Sequence, residues 1–237
     1  MSTWEASIAI GLDDMLAKTA AGTAPIAAFD FDETCIHGDI SETWLTYLDE
    51  LEPGRMAEYR AGCKADRAAA YQKLAIELVR GLTRTEVATL VEAAFRRGIA
   101  EGRIALRPSI HQLVASMKHH GWEVWVVTAS PTPVVQTVAV NYGIDPERVI
   151  GMTSPLGADH RYLPELLQPT TFREGKLDAL LARTGRAPTF AAGDTDGDLW
   201  LLNAAQYALL IDHGERTDPA LRERARQAGW WIQRGWG

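Results

Sequence analysis

The sequence has few cysteines and no long apolar run, and both absences limit the class of protein to which it can belong. Cys35 and Cys63 are its only cysteines, so the chain lacks the dense disulfide framework of a small secreted domain. No stretch approaches the roughly 20 consecutive apolar residues that a membrane-spanning helix requires. The first residues include acidic side chains where a secretory signal would be basic. We therefore expect a cytoplasmic protein that does not act at membranes.

The sequence also lacks an excess of basic residues. It has 24 Lys and Arg against 31 Asp and Glu, which gives a formal net charge of −7. General binding to nucleic acid or to an anionic membrane depends on clustered basic side chains, so the composition argues against both. Apolar residues make up 46% of the 237 residues, enough to build a sizeable hydrophobic core. The composition indicates a folded protein of enzyme size.

Short apolar runs separated by helical patterns indicate the fold class. Such runs are typical of strands covered on both faces, and the clearest are PIAAFDFD, WEVWVVT, PTFAAGD and YALLID, which begin at residues 25, 122, 188 and 207. Residues 108–121 and 130–143 have the apolar spacing of helices, and Ser130 is the expected N-cap of the second. This alternation predicts an α/β fold with a doubly wound, mostly parallel, Rossmann-like sheet.

Residues 38–104 differ from the rest of the chain because they contain no convincing strand pattern. Their apolar residues follow helical spacing, and Thr83 with Glu86 forms the pattern of a capping box. Ligands bind at the carboxyl ends of the strands in open α/β sheets, and this segment leaves the sheet there, directly after the first strand. We therefore predict an α/β core of residues 1–37 and 105–237, and a helical insertion of residues 38–104, the cap, over the active site.

Two other stretches give weaker signals. Residues 151–169 are rich in Gly and Pro and predict a hairpin or an irregular connection. The C-terminal run WWIQRGWG is compatible with an edge strand and with an association surface, and the sequence does not choose between them.

Polar residues lie at the ends of the predicted strands and at the start of a helix. The first strand ends in Asp30 and Asp32, the next in residues 128–130, and a later one in residues 193–198 (GDTDGD), while Lys176 begins a helix. Strand ends converge on one crevice in a doubly wound sheet, so we expect these motifs to meet. Carboxylates so close repel one another unless a cation lies near them. Mg²⁺, with oxygen ligands from Asp30 and Asp194, fits this requirement.

These residue types suit phosphoryl transfer. An ionised Asp30 needs no base to attack phosphorus and form an aspartyl-phosphate. Asp32 can protonate the leaving alcohol and afterwards take a proton from the water that hydrolyses the intermediate. The Lys176 ammonium, the Thr128 hydroxyl and nearby backbone N–H groups are suitable donors to the phosphoryl oxygens. The pattern therefore predicts phosphoryl transfer through a covalent intermediate.

The motifs, in this order, resemble the haloacid dehalogenase superfamily over residues 25–212, and the helical insertion resembles its phosphoserine-phosphatase-like branch. Dehalogenases of that family lack the second aspartate that its phosphatases keep, so the resemblance favours phosphate chemistry. It implies these roles: Asp30 as nucleophile and metal ligand, Asp32 as acid/base and backbone-carbonyl metal ligand, Thr128, Ala129 and Lys176 as phosphate-binding residues, Asp194 as metal ligand, and Asp198 as support for the metal's water shell.

The second motif and the residues after the first motif bear on the substrate. Residues 128–131 read Thr-Ala-Ser-Pro, where phosphoserine phosphatases usually show Ser-Gly-Gly. In that branch an acidic residue shortly after the first motif grips the substrate amine, and this chain has Asp39 and Glu42 there. The resemblance therefore implies these two as specificity residues for an amine-bearing ester such as phosphoserine, phosphoethanolamine or phosphocholine.

We expect a Mg²⁺-dependent phosphomonoesterase that hydrolyses a small organic monophosphate through an aspartyl-phosphate, as a monomer or a homodimer. Two alternatives stay open: a phosphotransferase or phosphomutase with the same intermediate, and a catalytically silent protein that binds a phosphometabolite. Asp196, within GDTDGD, is expected to be exposed. Six basic residues of the cap are possible contacts for a substrate anion, and the sequence does not rank them: Arg55, Arg60, Lys64, Arg67, Arg80 and Arg84.

Overall fold

A parallel six-stranded sheet forms the centre of the computed structural model, which describes residues 4–19 and 24–234. The order of its strands in space is β5-β4-β1-β6-β7-β8. In chain order the strands of the protein are β1 (Ile26–Phe29), β2 (Ile36–His37), β3 (Ala105–Leu106), β4 (Glu123–Pro131), β5 (Val149–Met152), β6 (Phe190–Gly193), β7 (Tyr207–Asp212) and β8 (Trp231–Arg234). The predicted fold class is confirmed, and each of the four predicted runs contains a strand.

Helices cover both faces of this sheet. One face packs against α1 (Ala6–Lys18), α6 (Pro108–His119) and α7 (Thr132–Ala139), and the other against α8 (Glu174–Thr184), α9 (Leu199–Ala204) and α10 (Pro219–Ala228). Side chains alternate along a strand, so in β1 Phe29 joins the first layer and Ala28 the second. None of the helices in these described ranges has the length and apolar character that crossing a membrane requires.

The cap region contains four helices: α2 (Ile40–Leu51), α3 (Arg55–Ala65), α4 (Arg67–Val79) and α5 (Arg84–Ala100). The chain enters it through β2 and leaves it through β3, and these two short strands pair antiparallel. At the entrance Gly38 has a φ of +84°, and a Cβ there would lie 2.0 Å from the Arg103 carbonyl oxygen. Only glycine fits this turn. The division of the chain into core and cap domains stays a prediction.

The cap packs directly on the core. Helix α5 and helix α2 both contact α7, and α4 contacts β4. One hydrophobic cluster runs through this interface, so that Trp44 and Val91 from the cap share it with Val134 and Val138 from α7. Burial of this apolar surface holds the cap helices beside the carboxyl ends of the strands.

Residues 151–169 differ in part from expectation, and the C-terminal run follows one of its two alternatives. Residues 149–152 form the edge strand β5, whose last two residues, Gly151 and Met152, fall in the stretch expected to be hairpin or irregular. Beyond it the chain does turn back on itself, since the Gly157 N–H donates to the Arg161 carbonyl oxygen. At the C-terminus the edge-strand alternative is confirmed, because β8 pairs with β7. Residues 235–237 of that run lie outside the described residues.

The capping box at the start of α5 generates a stability prediction. The Thr83 hydroxyl accepts the Glu86 N–H, and the Glu86 carboxylate accepts the Thr83 N–H. Thr83→Ala should lower the free energy of unfolding by about 1 kcal/mol, because one N–H at the helix start loses its acceptor. Urea denaturation of the two proteins measures this. Thr83→Ser, which keeps the hydroxyl, is the control, and equal stability of all three proteins would contradict the prediction.

Candidate active site

A cavity of about 310 Å³ opens between the carboxyl ends of the strands and the cap. All four sequence motifs contribute to its wall, so the structure brings them together at one sheet edge. The core side is lined by Asp30, Asp32, Thr128, Ala129, Ser130, Lys176 and Asp194. The cap side is lined by Asp39, Ser41, Glu42, Tyr59, Tyr71, Leu74 and Ala75.

Lys176 is the cation at the floor of this cavity. Its ammonium donates to Asp30 Oδ1 and to Asp198 Oδ1, each at 2.6 Å, and the residue is only 3% exposed. Burial alone would lower the pKa of Lys176, but the Asp198 and Asp30 carboxylates outweigh burial and raise it above its ordinary value. Lys176 is therefore a permanent positive charge beside Asp30.

Asp198 is completely buried and organises the loop after β6. Its Oδ1 accepts from Lys176, and its Oδ2 accepts from the backbone N–H groups of Asp194 and Thr195 at 3.2 and 3.0 Å. A Cβ at Gly193 would lie 2.5 Å from the Asp198 Cβ, so glycine permits this close approach. The structure thus gives Asp198 a part in holding Lys176 and Asp194 in place. Its predicted support for a metal's water shell stays a prediction.

The carboxylates of Asp30, Asp194 and Asp198 form a cluster that suits a divalent cation. Each offers an oxygen atom, and these atoms all lie within 4.8 Å of one another. Burial, together with the neighbouring carboxylates, raises the pKa of Asp30 and of Asp194 well above the ordinary value, although Lys176 opposes the shift. One ammonium therefore does not balance three buried carboxylates. A hard cation with oxygen ligands, as Mg²⁺ is, fits both the donor atoms and the missing charge.

Asp32 also lines the cavity, but it makes a different set of contacts. Its Oδ1 accepts the Ile40 N–H at 2.9 Å, and its Oδ2 accepts the Ser130 hydroxyl at 2.6 Å. Burial raises the pKa of Asp32 to about 6, with these two hydrogen bonds acting in the opposite direction. A carboxyl group with a pKa near neutrality can both give and take a proton at physiological pH, which is what a general acid/base must do.

The second motif follows a bend in β4 rather than a helix start. The pairing of β4 with β5 shifts register between Val127 and Pro131, and α7 begins only at Thr132 with Pro131 at its N-cap. The expectation that Ser130 is that N-cap is therefore wrong: its side chain points to Asp32. The Ser130 N–H donates to Thr128 Oγ1 at 3.0 Å, which leaves the Thr128 hydroxyl hydrogen for another acceptor.

Asp39 and Glu42 lie together on the first turn of α2, facing the cavity. Asp39 is the N-cap, and its Oδ1 accepts the Glu42 N–H at 2.8 Å. Burial and the nearby carboxylates of Asp32 and Glu42 raise the pKa of Asp39 well above its ordinary value. Neither side chain forms an ion pair with any residue of the described ranges. The cap side of the cavity is therefore acidic.

Aromatic rings complete the wall, and no sequence motif points to them. Tyr59 and Tyr71 stack with ring centroids 6.4 Å apart, and Tyr71 meets Phe172 of the core edge-to-face at 5.3 Å. Tyrosines on cap helices have the spacing of ordinary packing residues, so sequence reasoning missed them. The wall of the cavity is therefore partly aromatic.

One ion pair bridges the cap and the GDTDGD loop. Arg67 at the start of α4 pairs with Asp196, and its guanidinium lies 5.3 Å from the centre of the Phe172 ring. Arg173 also pairs with Asp196, at 3.1 Å. The expectation that Asp196 is exposed is wrong, because these two guanidinium groups half-bury it. Of the six basic residues that the sequence left unranked, Arg67 is thus the one that joins the cap to the site's own loop.

Comparisons with known proteins find similar proteins over most of the chain. A histidinol-phosphatase of Neisseria meningitidis serogroup C (strain 8013) is 26% identical over 225 residues, which cover 86% of this chain and 96% of that protein. The solved structure of a conserved, functionally unknown protein from Anaerococcus prevotii DSM 20548 is similar with a TM-score of 0.78 and 19% identity, over 97% of this chain and 92% of that one. A phospho-aspartyl intermediate analogue of phosphoserine phosphatase has a TM-score of 0.56 and 18% identity, over 86% and 91% of the two chains.

A family model gives the clearest of these results. The model for haloacid dehalogenase-like hydrolases matches residues 27–203, a span that contains all four motifs and the whole cap. The chain therefore belongs to the haloacid dehalogenase-like hydrolase family, as its motifs predict.

Proposed function

We propose that this phosphatase-like hydrolase releases phosphate from a small, amine-bearing organic monophosphate, with Mg²⁺ as cofactor and an aspartyl-phosphate as intermediate. The observation that carries the proposal is the meeting of Asp30, Asp32 and Lys176 on the floor of one cavity. The name of the similar phosphoserine phosphatase structure, a phospho-aspartyl intermediate analogue, supports the intermediate.

Asp30 acts as the nucleophile in this proposal. One of its carboxylate oxygens forms a bond to phosphorus while the bond from phosphorus to the substrate's ester oxygen breaks. The Lys176 ammonium, 2.6 Å from Asp30 Oδ1, favours the ionised carboxylate that the attack requires. The Thr128 hydroxyl, whose oxygen already accepts the Ser130 N–H, donates to a phosphoryl oxygen. The backbone beside Ala129 borders the same space.

Asp32 moves the protons of both steps. In the first step it gives its proton to the ester oxygen, which leaves as a neutral alcohol. In the second step the resulting carboxylate takes a proton from water as the water oxygen attacks phosphorus, and Asp30 is released with inorganic phosphate. A pKa of about 6 for Asp32 suits both tasks.

The acidic cluster would hold the metal. Asp30 and Asp194 through their carboxylates, and Asp32 through its backbone carbonyl, are the proposed ligands, with Asp198 behind them. When bound, Mg²⁺ neutralises charge on the phosphoryl oxygens and lets a phosphate dianion approach Asp30. The missing positive charge at this cluster supports this assignment.

The acidic cap side supports a substrate whose leaving group carries a cation. Asp39 and Glu42 border the cavity without an ion-pair partner in the described ranges, so a bound ammonium group would supply the charge they lack. The aromatic rings of Tyr59 and Tyr71, which line the cavity, offer contact to the body of the leaving group. The name histidinol-phosphatase, borne by a similar protein, adds histidinol phosphate to phosphoserine, phosphoethanolamine and phosphocholine as proposed substrates.

The nucleophile is tested by replacing Asp30. Phosphate release from the four proposed esters, sugar phosphates and nucleotides should depend on Mg²⁺, stop with chelator and fall about 10³-fold or more in Asp30→Asn, since the amide cannot attack phosphorus. Asp178→Asn, on the exposed face of α8, is the matched control. Full turnover by Asp30→Asn would exclude the mechanism. Transfer of phosphate to added alcohols would indicate a phosphotransferase, and binding without release would indicate a binding protein.

The metal site is tested without activity. Mg²⁺ at about 100 times its Kd should stabilise the wild type by about 2.7 kcal/mol, because it binds the folded chain and not the unfolded one. Asp194→Asn should lose most of this stabilisation, while Asp178→Asn should keep it. Denaturation with and without Mg²⁺ measures the difference. An equal response of Asp194→Asn and the wild type would place the metal elsewhere.

The specificity residues are tested with matched esters. Glu42→Gln should lower kcat/KM about tenfold for phosphoethanolamine but little for ethyl phosphate, since only the first ester presents an ammonium group to the carboxylate. Asp39→Asn should act in the same direction. Steady-state phosphate release gives kcat/KM for each of the two esters. An equal loss with the two esters would show that Glu42 does not recognise the amine.

A further inference from the structure

The hydrogen bonds that reach Asp32 come from two parts of the chain far apart in sequence. Oδ1 accepts the backbone N–H of Ile40, the first residue of α2. Oδ2 accepts the hydroxyl of Ser130 at 2.6 Å, and the Ser130 oxygen in turn accepts the hydroxyl of Ser41 at 3.0 Å. A chain of donors therefore runs from the cap, through the bend of β4, to the carboxyl group that handles protons.

Both hydroxyl groups in this chain of hydrogen bonds belong to buried residues. Ser41 is 2% exposed and Ser130 is 8% exposed. Little of either side chain is exposed, and a buried hydroxyl that loses its hydrogen-bond partner is costly. The Ser130 hydroxyl therefore accepts a hydrogen bond from Ser41 and donates one to the Asp32 carboxylate.

The two hydrogen bonds leave the Asp32 carboxyl group one favourable orientation. A general acid must lie within hydrogen-bond reach of the oxygen that it protonates, and small displacements cost rate. Since Ile40 occupies one lone pair of Oδ1 and Ser130 one lone pair of Oδ2, the transferable proton must occupy a remaining position on the carboxyl group. Ser130 also fixes Thr128 through its N–H, so one residue aligns both the proton donor and a phosphate donor.

We propose that Ser130, held by Ser41 of the cap, is a positioning residue that aims the Asp32 carboxyl group at the ester oxygen of the substrate. The proposal rests on the proposed function, in which Asp32 protonates the leaving alcohol. Ser130 itself touches no reacting atom in this scheme and acts through Asp32. Ser41 acts one step further back and ties this alignment to the first turn of α2.

Leaving-group dependence distinguishes positioning from a merely structural role. A nitrophenolate leaves readily without a proton, whereas an alkoxide needs one from the general acid. Ser130→Ala should therefore lower kcat/KM about tenfold more for phosphoethanolamine than for 4-nitrophenyl phosphate. The ratio kcat/KM includes only the steps up to release of the alcohol, so hydrolysis of the intermediate does not enter the comparison. Ser41→Ala should show the same preference with a smaller loss.

A double-mutant cycle then tests whether Ser130 acts through Asp32. In an Asp32→Ala background, Ser130→Ala should cause no further loss with phosphoethanolamine, because the group it aims is gone. Thr153→Ala is the control, because it removes a hydroxyl that is hydrogen-bonded to the Thr132 hydroxyl at 2.7 Å near the same bend but does not contact Asp32. Any loss of kcat/KM in this variant should be the same for both esters.

Two results would overturn the proposal: an equal loss with both esters in Ser130→Ala, and additive losses in the double variant. Ser130→Thr keeps a hydroxyl and should recover part of the kcat/KM that Ser130→Ala loses with phosphoethanolamine. This variant separates loss of the hydroxyl from a folding defect in the alanine variant. Hydrolysis of both esters by the wild type is measured first. A wild type that is inactive on both esters would overturn the proposed function itself. If the wild type is active and Ser130→Ala loses kcat/KM equally with both esters, only the positioning role is overturned.

Discussion

The crowding of buried carboxylates around one ammonium group is the constraint on which the rest of the site depends. Asp30 follows β1, and Asp194 and Asp198 lie in the loop after the neighbouring parallel strand β6, so the three carboxylates converge. Lys176 supplies one positive charge among them. Such an arrangement is unfavourable for folding in isolation, since buried charges without full compensation are costly. A divalent cation with oxygen ligands would offset this charge. The fold maintains this cluster because the large hydrophobic layers on both faces of the sheet hold the strand ends in place.

Core and cap contribute different chemistry to the same cavity. The core supplies the residues proposed to act on phosphorus, whereas the cap supplies acidic and aromatic groups to the opposite wall of the cavity. Polar contacts at the cavity also join the two parts. They include the ion pair of Arg67 with Asp196 in the GDTDGD loop, and the hydrogen bonds that Ile40 and Ser41 donate to Asp32 and Ser130. The first joins the cap to the loop behind Asp194. The second joins it to Asp32, the proposed acid/base.

The sequence predicts the sheet and the motif positions well, because buried strands and strand-end polar residues leave local patterns. Asp30, Asp32, Thr128 and Lys176 meet in one cavity because parallel strands all end at the same edge. Position Ser130 was misread because a serine before a proline has the local signature of a helix start, while its true partner, Asp32, lies 98 residues away in sequence. The strand β5 is absent from the sequence prediction because it has only four residues, and two of them, Gly151 and Met152, carry no strand signal of their own. Tertiary contacts decided these cases, and one sequence does not display them.

The first turn of α2 has a consequence for how caps of this kind can be exchanged between relatives. Residues 38–104 enter and leave through the paired strands β2 and β3, which makes them a natural unit to graft onto another core. Yet Ile40 and Ser41, within this segment, already donate hydrogen bonds to Asp32 and Ser130 of the core. In a chimera joined at Gly38, the donor cap would replace Ile40 and Ser41, and so the hydrogen bonds around Asp32, together with the residues that line the cap side of the cavity. A junction placed beyond Glu42 would instead retain the host's own alignment, at the expense of keeping the host's acidic pair.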